Sequence, residues 1–222
     1  MPDFSLEKAC SGYVTGFDEA GCGPWAGPLV AGAVLLIQEK LPQDLACQIN
    51  DSKKLTSLKR EKIFNHLMNL EGEACFSAMG ICSVNEIDAS NIRKAAMCAM
   101  ERASRALKLP FSITPCLGLV DGTLKPELSY PVRSLIKGDT LSLSIAAASI
   151  IAKVTRDQIM KDLSVLHPEY GWERNAGYGT AYHRQALTRY GVTPHHRKTF
   201  APVARLLIDE KSKLTIVKSS QV

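Results

Sequence analysis

No CxxC pair occurs anywhere in the 222 residues, and the seven cysteines are an odd number. Both facts argue against a disulfide framework or a zinc knuckle and for a reducing compartment. The first residues, MPDFSLEKAC, lack a basic segment followed by an apolar stretch, so no signal peptide is expected. The longest mostly apolar run, residues 26–37, is interrupted by glycine and too short to span a bilayer. Internal repeats and low-complexity linkers are also missing. The expectation is a cytoplasmic protein without membrane contact.

What is present suits a folded domain. A hydrophobic fraction of 45% against a charged fraction of 22% is ordinary for a soluble chain. The length fits one large domain, or one domain with a small appendage, and allows a core without covalent staples. The net charge of +5 is unevenly spread. Between positions 171 and 205, Arg174, Arg184, Arg189, Arg197, Lys198 and Arg205 face a single acid, Glu173. That segment carries the whole surplus, which suggests a polyanion-facing surface; a solvated helical face explains the charge alone equally well.

Residues 13–17 read as a strand and residues 28–37 as a second, joined through glycines and prolines into an antiparallel pair. Leu58, Ile63, Phe64, Leu67 and Leu70 recur with helical period. Residues 74–81 read as a third strand. Ser83 and Glu86 have capping-box spacing and open a helical region running towards Leu107. There Ala95, Ala96, Ala99, Ala103 and Ala106 form a small-residue stripe suited to close packing on a sheet. Two short apolar runs, 116–120 and 132–136, end at or near Asp121 and Asp139. A long helix over 142–163 has the segment IAAASIIA as its buried face, and 171–208 reads as helix with turns. Strands first and helices interleaved later predict an α/β or α+β domain with a mixed sheet.

The chemistry lies in the carboxylates. Asp18, Asp121 and Asp139 each follow an apolar run, and strand ends of one sheet can converge on one point. A single acid there is more often a turn former; repetition shifts the reading. Adjacent strand residues point to opposite faces, so Asp18 and Glu19 share a site only if the chain leaves strand geometry between them. Clustered carboxylates resist joint ionisation, and hard divalent cations relieve them. No histidine or cysteine falls at zinc spacing. Such a site beside a basic surface suits phosphodiester hydrolysis by two ions roughly 3.5–4 Å apart. A P-loop kinase does not fit, since GCGPWAG lacks the lysine and its spacing.

The segments DEAGCGPWAGPLVAGAV, DSKKLT, LVDG, KGD, SIAAASIIAKVTRD, GYGTAYH and HHRKTF occur in the order seen in the type 2 ribonucleases H. The chain resembles bacterial ribonuclease HII from about Phe17 to Val203. That resemblance implies a ribonuclease H-like α/β fold, with a mixed central sheet flanked by helices and a C-terminal helical extension. It divides the chain into a catalytic core over 1–165, a helical subdomain over 166–210 that completes the substrate site, and a polar tail over 211–222. It implies cleavage of the RNA strand of RNA–DNA hybrids, including at single ribonucleotides within duplex DNA, leaving 3′-hydroxyl and 5′-phosphate ends. Asp18, Glu19, Asp121 and Asp139 correspond to the family's catalytic, metal-binding acids. Mn²⁺ or Mg²⁺ is the implied cofactor, with Asp18 bridging both ions. A single chain acting as a monomer is expected.

The resemblance also marks substrate-binding residues. Gly21-Cys22-Gly23 stands where the family has Gly-Arg-Gly or Gly-Lys-Gly, whose backbone touches the ribose 2′-hydroxyl, the group that distinguishes RNA from DNA. Cys22 departs from that pattern: both glycines remain, a cation is lost, and a thiol near metal ions invites oxidation. Tyr178 matches the family tyrosine that stacks on the deoxyribose following the ribonucleotide. Lys53 and Lys54 match a segment near the nucleic acid and are expected phosphate contacts. Lys153 and Asp157 have the spacing of a surface ion pair, and Arg156 reads as mainly structural, with a reach to the substrate as the alternative. His195-His196 lacks a third metal partner and suits phosphate or structural contacts, and His183 is expected to stabilise the loop carrying Tyr178 or the helix beginning there.

Overall fold

The computed structural model describes residues 1–208; the expected polar tail over 211–222 lies outside them. Five strands form one sheet in the order β3-β2-β1-β4-β5: β1 Tyr13–Ala20, β2 Leu29–Leu36, β3 Cys75–Cys82, β4 Pro115–Asp121 and β5 Val132–Leu135. The β1–β2 and β2–β3 pairs are antiparallel, and β1–β4 and β4–β5 are parallel. The sheet is thus mixed, with the expected antiparallel first pair. The helices with both ends among the described residues are α1 Ser5–Lys8, α2 Gln43–Ala46, α3 Ser57–Asn69, α4 Val84–Ala89, α5 Ile92–Ala106, α6 Leu143–Leu166, α7 Trp172–Asn175 and α8 Ala181–Tyr190, and residues 201–208 are helical as well.

Every residue of β2 is buried, which follows from helices covering both faces of the sheet. On one face Val34 and Leu36 join the core made with α3 and α6. On the other, Leu29, Ala31 and Ala33 pack with Phe17 and the α5 stripe of Ala95, Ala96, Ala99 and Ala103. Ala106, counted in that stripe from the sequence, is exposed. The helical region expected from Ser83 is built of two helices. The Ser83–Glu86 capping box opens α4. Ser90 then leaves helical geometry, and Asn91 caps α5 through the Lys94 N–H. A serine-asparagine pair offers the backbone alternative hydrogen bonds, which is why the break falls there.

The small residues of α6 bring it into close contact with the strands. A Cβ added at Gly16 would lie 2.2 Å from the Ser144 backbone, and one at Gly32 2.4 Å from the Ala148 carbonyl oxygen. Lys153 and Asp157 on the exposed flank of α6 pair at 2.6 Å as expected, and Arg60 of α3 approaches the same carboxylate at 3.6 Å. No helix among the described residues is long and apolar enough to cross a membrane.

Candidate active site

Strand alternation sorts the acids. In the β1–β2 ladder Asp18 lies opposite Gly32, and Glu19 opposite Ala31. Directly opposed residues project to the same side of a sheet. Gly32 lies under α6, whereas Ala31 belongs to the core against α5. Asp18 therefore emerges on the α6 side and Glu19 on the other. Val120 packs on the α5 side, so Asp121 next to it also faces α6. The ladder continues through Ala20. The expected departure from strand geometry between Asp18 and Glu19 does not occur, because both residues keep their partners on β2.

The result is a trio. One carboxylate oxygen from each of Asp18, Asp121 and Asp139 lies within 4.8 Å of the others. Asp139 reaches the strand ends from the 3-10 turn Gly138–Thr140, directly before α6. That turn is tied to β4 by the Gly138 N–H, which donates to Asp121 Oδ1 at 2.7 Å. Glu19 is outside the trio; its Oε1 accepts from the Cys22 thiol at 3.4 Å. Burial, then the charges of Glu19 and Asp121, hold the Asp18 carboxyl well above the usual carboxylate range. Burial followed by Asp121 and Asp51 raises Asp139. Burial also raises Glu19, against the Cys22 hydrogen bond, and Asp121 adds to the rise. Three oxygen donors that resist joint ionisation match the needs of a hard divalent cation.

Lys53 faces this group. Desolvation opposes its charge, but Asp18, Asp51, Asp139 and Asp121 together outweigh it and leave the ammonium pKa raised. Lys54, its neighbour at the end of the Ser52–Lys54 turn, is exposed.

The turn after β1 is clamped from behind. Gly21 has φ +103°, and a Cβ there would strike Arg156 Nε at 2.2 Å; only glycine meets both demands. Arg156 donates to the carbonyls of Pro28, Ala176 and Ala26 at 3.0, 3.0 and 3.1 Å. Arg197 donates to those of Gly27, Cys22 and Pro28 at 3.0, 3.2 and 3.2 Å. Both guanidinium groups are almost wholly buried. Burial lowers both pKa values, Arg197 to about 10; a guanidinium keeps its charge at neutral pH. Counting Arg197 among surface charges is thus corrected: its fork is consumed by backbone carbonyls, which only the folded chain brings together.

The Tyr178 ring lies over the same turn, since a Cβ at Gly23 would rest 3.4 Å from its Cε1. Tyr178 is 48% exposed, leaving one side of the ring open. Trp25 joins the two segments: its N–H donates to the Gly177 carbonyl at 2.8 Å, and its indole occupies the space beside Gly179. Cys22 is exposed as a residue, but its thiol turns towards Glu19. Desolvation and the Glu19 charge push that thiol up to about 12, which runs against an oxidation-prone thiolate. Sequence reasoning missed Trp25 and the positioning role of Arg197; the motifs containing them, GCGPWAGP and HHRKTF, were the available signals.

The mixed sheet, its helical covering and the aspartates at adjoining strand ends define a nuclease of the ribonuclease H fold. Ribonuclease H2 from Pyrococcus horikoshii OT3 has a TM-score of 0.72 at 26% identity, over 87% of this chain and 96% of that one. Bst-RNase HIII in complex with Mn²⁺ shares the fold, with a TM-score of 0.72 at 20% identity over 93% of this chain and 72% of that one. The family model for ribonuclease HII matches residues 15–203. Ribonuclease HII of Paramagnetospirillum magneticum is 50% identical over 208 residues, covering 94% of this chain and 100% of the relative. The chain belongs to the ribonuclease HII family, whose members are endonucleases cutting the RNA strand of RNA–DNA hybrids.

Proposed function

We propose that Asp18, Asp121 and Asp139, completed by Glu19, hold Mn²⁺ or Mg²⁺, and that the chain hydrolyses RNA in hybrids and at single ribonucleotides within duplex DNA. The observation that carries this reading is the trio itself, three oxygen donors within 4.8 Å of one another with two of the carboxyls raised. The donor set fits a hard cation and contains no soft ligand. Glu19 lies close enough to feel the Asp121 charge, and to join the set its side chain must leave the Cys22 thiol and turn round the end of the strand. When bound, such ions supply an activated water and neutralise charge at the leaving oxygen.

The chain's own residues orient the substrate. The Gly21-Cys22-Gly23 backbone reads the ribose 2′-hydroxyl, and the open side of the Tyr178 ring receives the neighbouring deoxyribose. Lys53 and Lys54 meet phosphates beside the acids. Products carry a 3′-hydroxyl and a 5′-phosphate. All acids of the site come from one chain, which suits a monomer, and seven free cysteines suit the cytoplasm. A core over 1–165 supplies the acids, and a subdomain over 166–210 supplies Tyr178.

The test uses a labelled duplex with one ribonucleotide. The parent protein should nick it with Mn²⁺, chelator should stop the reaction, and Asp18→Asn and Asp121→Asn should both be inactive. No metal-dependent nick by the parent protein sinks the proposal.

A further inference from the structure

His183 and His196 are both wholly buried beneath the Tyr178 loop, with their Nε2 atoms 3.0 Å apart. The proton on each ring follows from its neighbours. The Tyr178 carbonyl can only accept, so its 2.9 Å contact places a proton on His183 Nδ1. The Trp172 indole can only donate, at 3.3 Å, which makes His183 Nε2 an acceptor. His196 Nε2 is therefore the donor across the pair. Its Nδ1 accepts from the Thr193 N–H at 3.0 Å. Each ring carries one proton, and the hydrogen bonds run in one direction from Thr193 through His196 and His183 to Tyr178.

The groups around the pair favour this neutral arrangement. Burial lowers the His183 pKa, and burial followed by the charges of His183, His167 and His195 lowers that of His196 to about 3. Tyr170 and Trp172 pack their rings against both imidazoles, and Trp25 lies beside His183. A second proton on either ring would set N–H against N–H.

The two ends of the chain of hydrogen bonds belong to the two halves of the substrate site. His196 bridges to Ala26, and Arg197 clasps Cys22, Gly27 and Pro28. His183 lies in the first turn of α8 and holds the backbone of Tyr178. We propose that His183 and His196 are positioning residues for ribonucleotide recognition, their shared hydrogen bond setting the Tyr178 loop against the Gly21-Cys22-Gly23 turn. This rests on the recognition role given to Tyr178 above.

Two measurements on the full chain test it. Nitrogen-15 NMR of the imidazoles should show His183 protonated at Nδ1 and His196 at Nε2, both uncharged at pH values where an exposed histidine is protonated. A proton on His183 Nε2, or titration of either ring near the ordinary histidine value, overturns the relay. The second readout is the kcat/KM ratio for a single-ribonucleotide duplex over a long hybrid. His196→Phe keeps the ring volume but cannot donate, and should lower the ratio about tenfold, the worth of one hydrogen bond. His196→Gln, whose amide can still donate to His183, should recover most of it. If Tyr178→Ala lowers the ratio and His196→Phe does not, the positioning role is overturned. If Tyr178→Ala leaves the ratio unchanged, the recognition reading of Tyr178 fails and takes this proposal with it. The NMR result stands whether or not His196→Phe folds.

Discussion

At the scale of single residues, Asp18 sets function against stability. Its carboxyl is buried beside two other acids, so the folded chain holds that proton more tightly than the unfolded chain does. The penalty is absent below the ordinary value of 3.8 and fully present above the raised one. Metal-free protein therefore loses stability from Asp18 as pH rises through that interval. The buried histidines act the other way near pH 6.5, since their lowered pKa values favour the folded state as pH rises. Glu86, lowered to about 2 chiefly by its hydrogen bond with Arg102, matters only in stronger acid. Comparison of parent and Asp18→Asn isolates the Asp18 contribution. In calorimetry with chelator, the variant should melt roughly 2–4 °C above the parent at pH 8, with the gap closing towards pH 4. An equal or lower Tm for the variant at pH 8 would count against a strained, buried carboxylate.

At the scale of elements, the contact of α6 with β1 and β2 decides where the acids meet. Gly16 and Gly32 leave no room for a Cβ because the atoms in the way are helix backbone, which cannot rotate aside. Gly32→Ala should cost about 1–3 kcal/mol in urea unfolding through overpacking. Because Gly32 lies opposite Asp18 in the ladder, cleavage should weaken as well, even at urea concentrations far below the transition. An unchanged urea midpoint would mean that α6 shifts freely and that the glycines do not hold it. The small-residue run of α6 was legible in the sequence, as was the α5 stripe. The Ser90-Asn91 break was less so, because helical periodicity persists on both sides of it.

At the scale of the whole molecule, two buried cations unite the sheet with the C-terminal elements. Arg156 arrives from α6 and Arg197 from the segment after α8, and together they hold six carbonyl contacts around one turn. Neither makes an ion pair among the described residues, so the backbone dipoles of the turn stabilise both charges. Removing Arg197 takes the donor from the Gly27 and Cys22 carbonyls, while Pro28 keeps Arg156. Arg197→Met should destabilise the protein by about 2–4 kcal/mol and raise KM for the hybrid. Arg197→Lys should repair little, since an ammonium lacks the planar fork that spans three acceptors. Urea unfolding and steady-state kinetics check both; full recovery by lysine would show that charge, not the fork, is what the turn needs.

The linear chain was sufficient for the family motifs, the first antiparallel pair, the capping box at Ser83 and the convergence of Asp18, Asp121 and Asp139. These are local or repetitive features: a strand that ends in an acid, a cap at fixed spacing, small residues at helical period. Tertiary structure alone decided which acids share a face. Asp18 and Glu19 are neighbours in sequence, yet ladder pairing sends them to opposite sides of the sheet, while Asp139 arrives from 121 residues further along the chain. Tertiary structure also decided that Arg197 is a buried clamp and that His183 and His196 share a proton-directed bond. Burial and hydrogen-bond direction depend on neighbours distant in sequence, and no local pattern of residues encodes them.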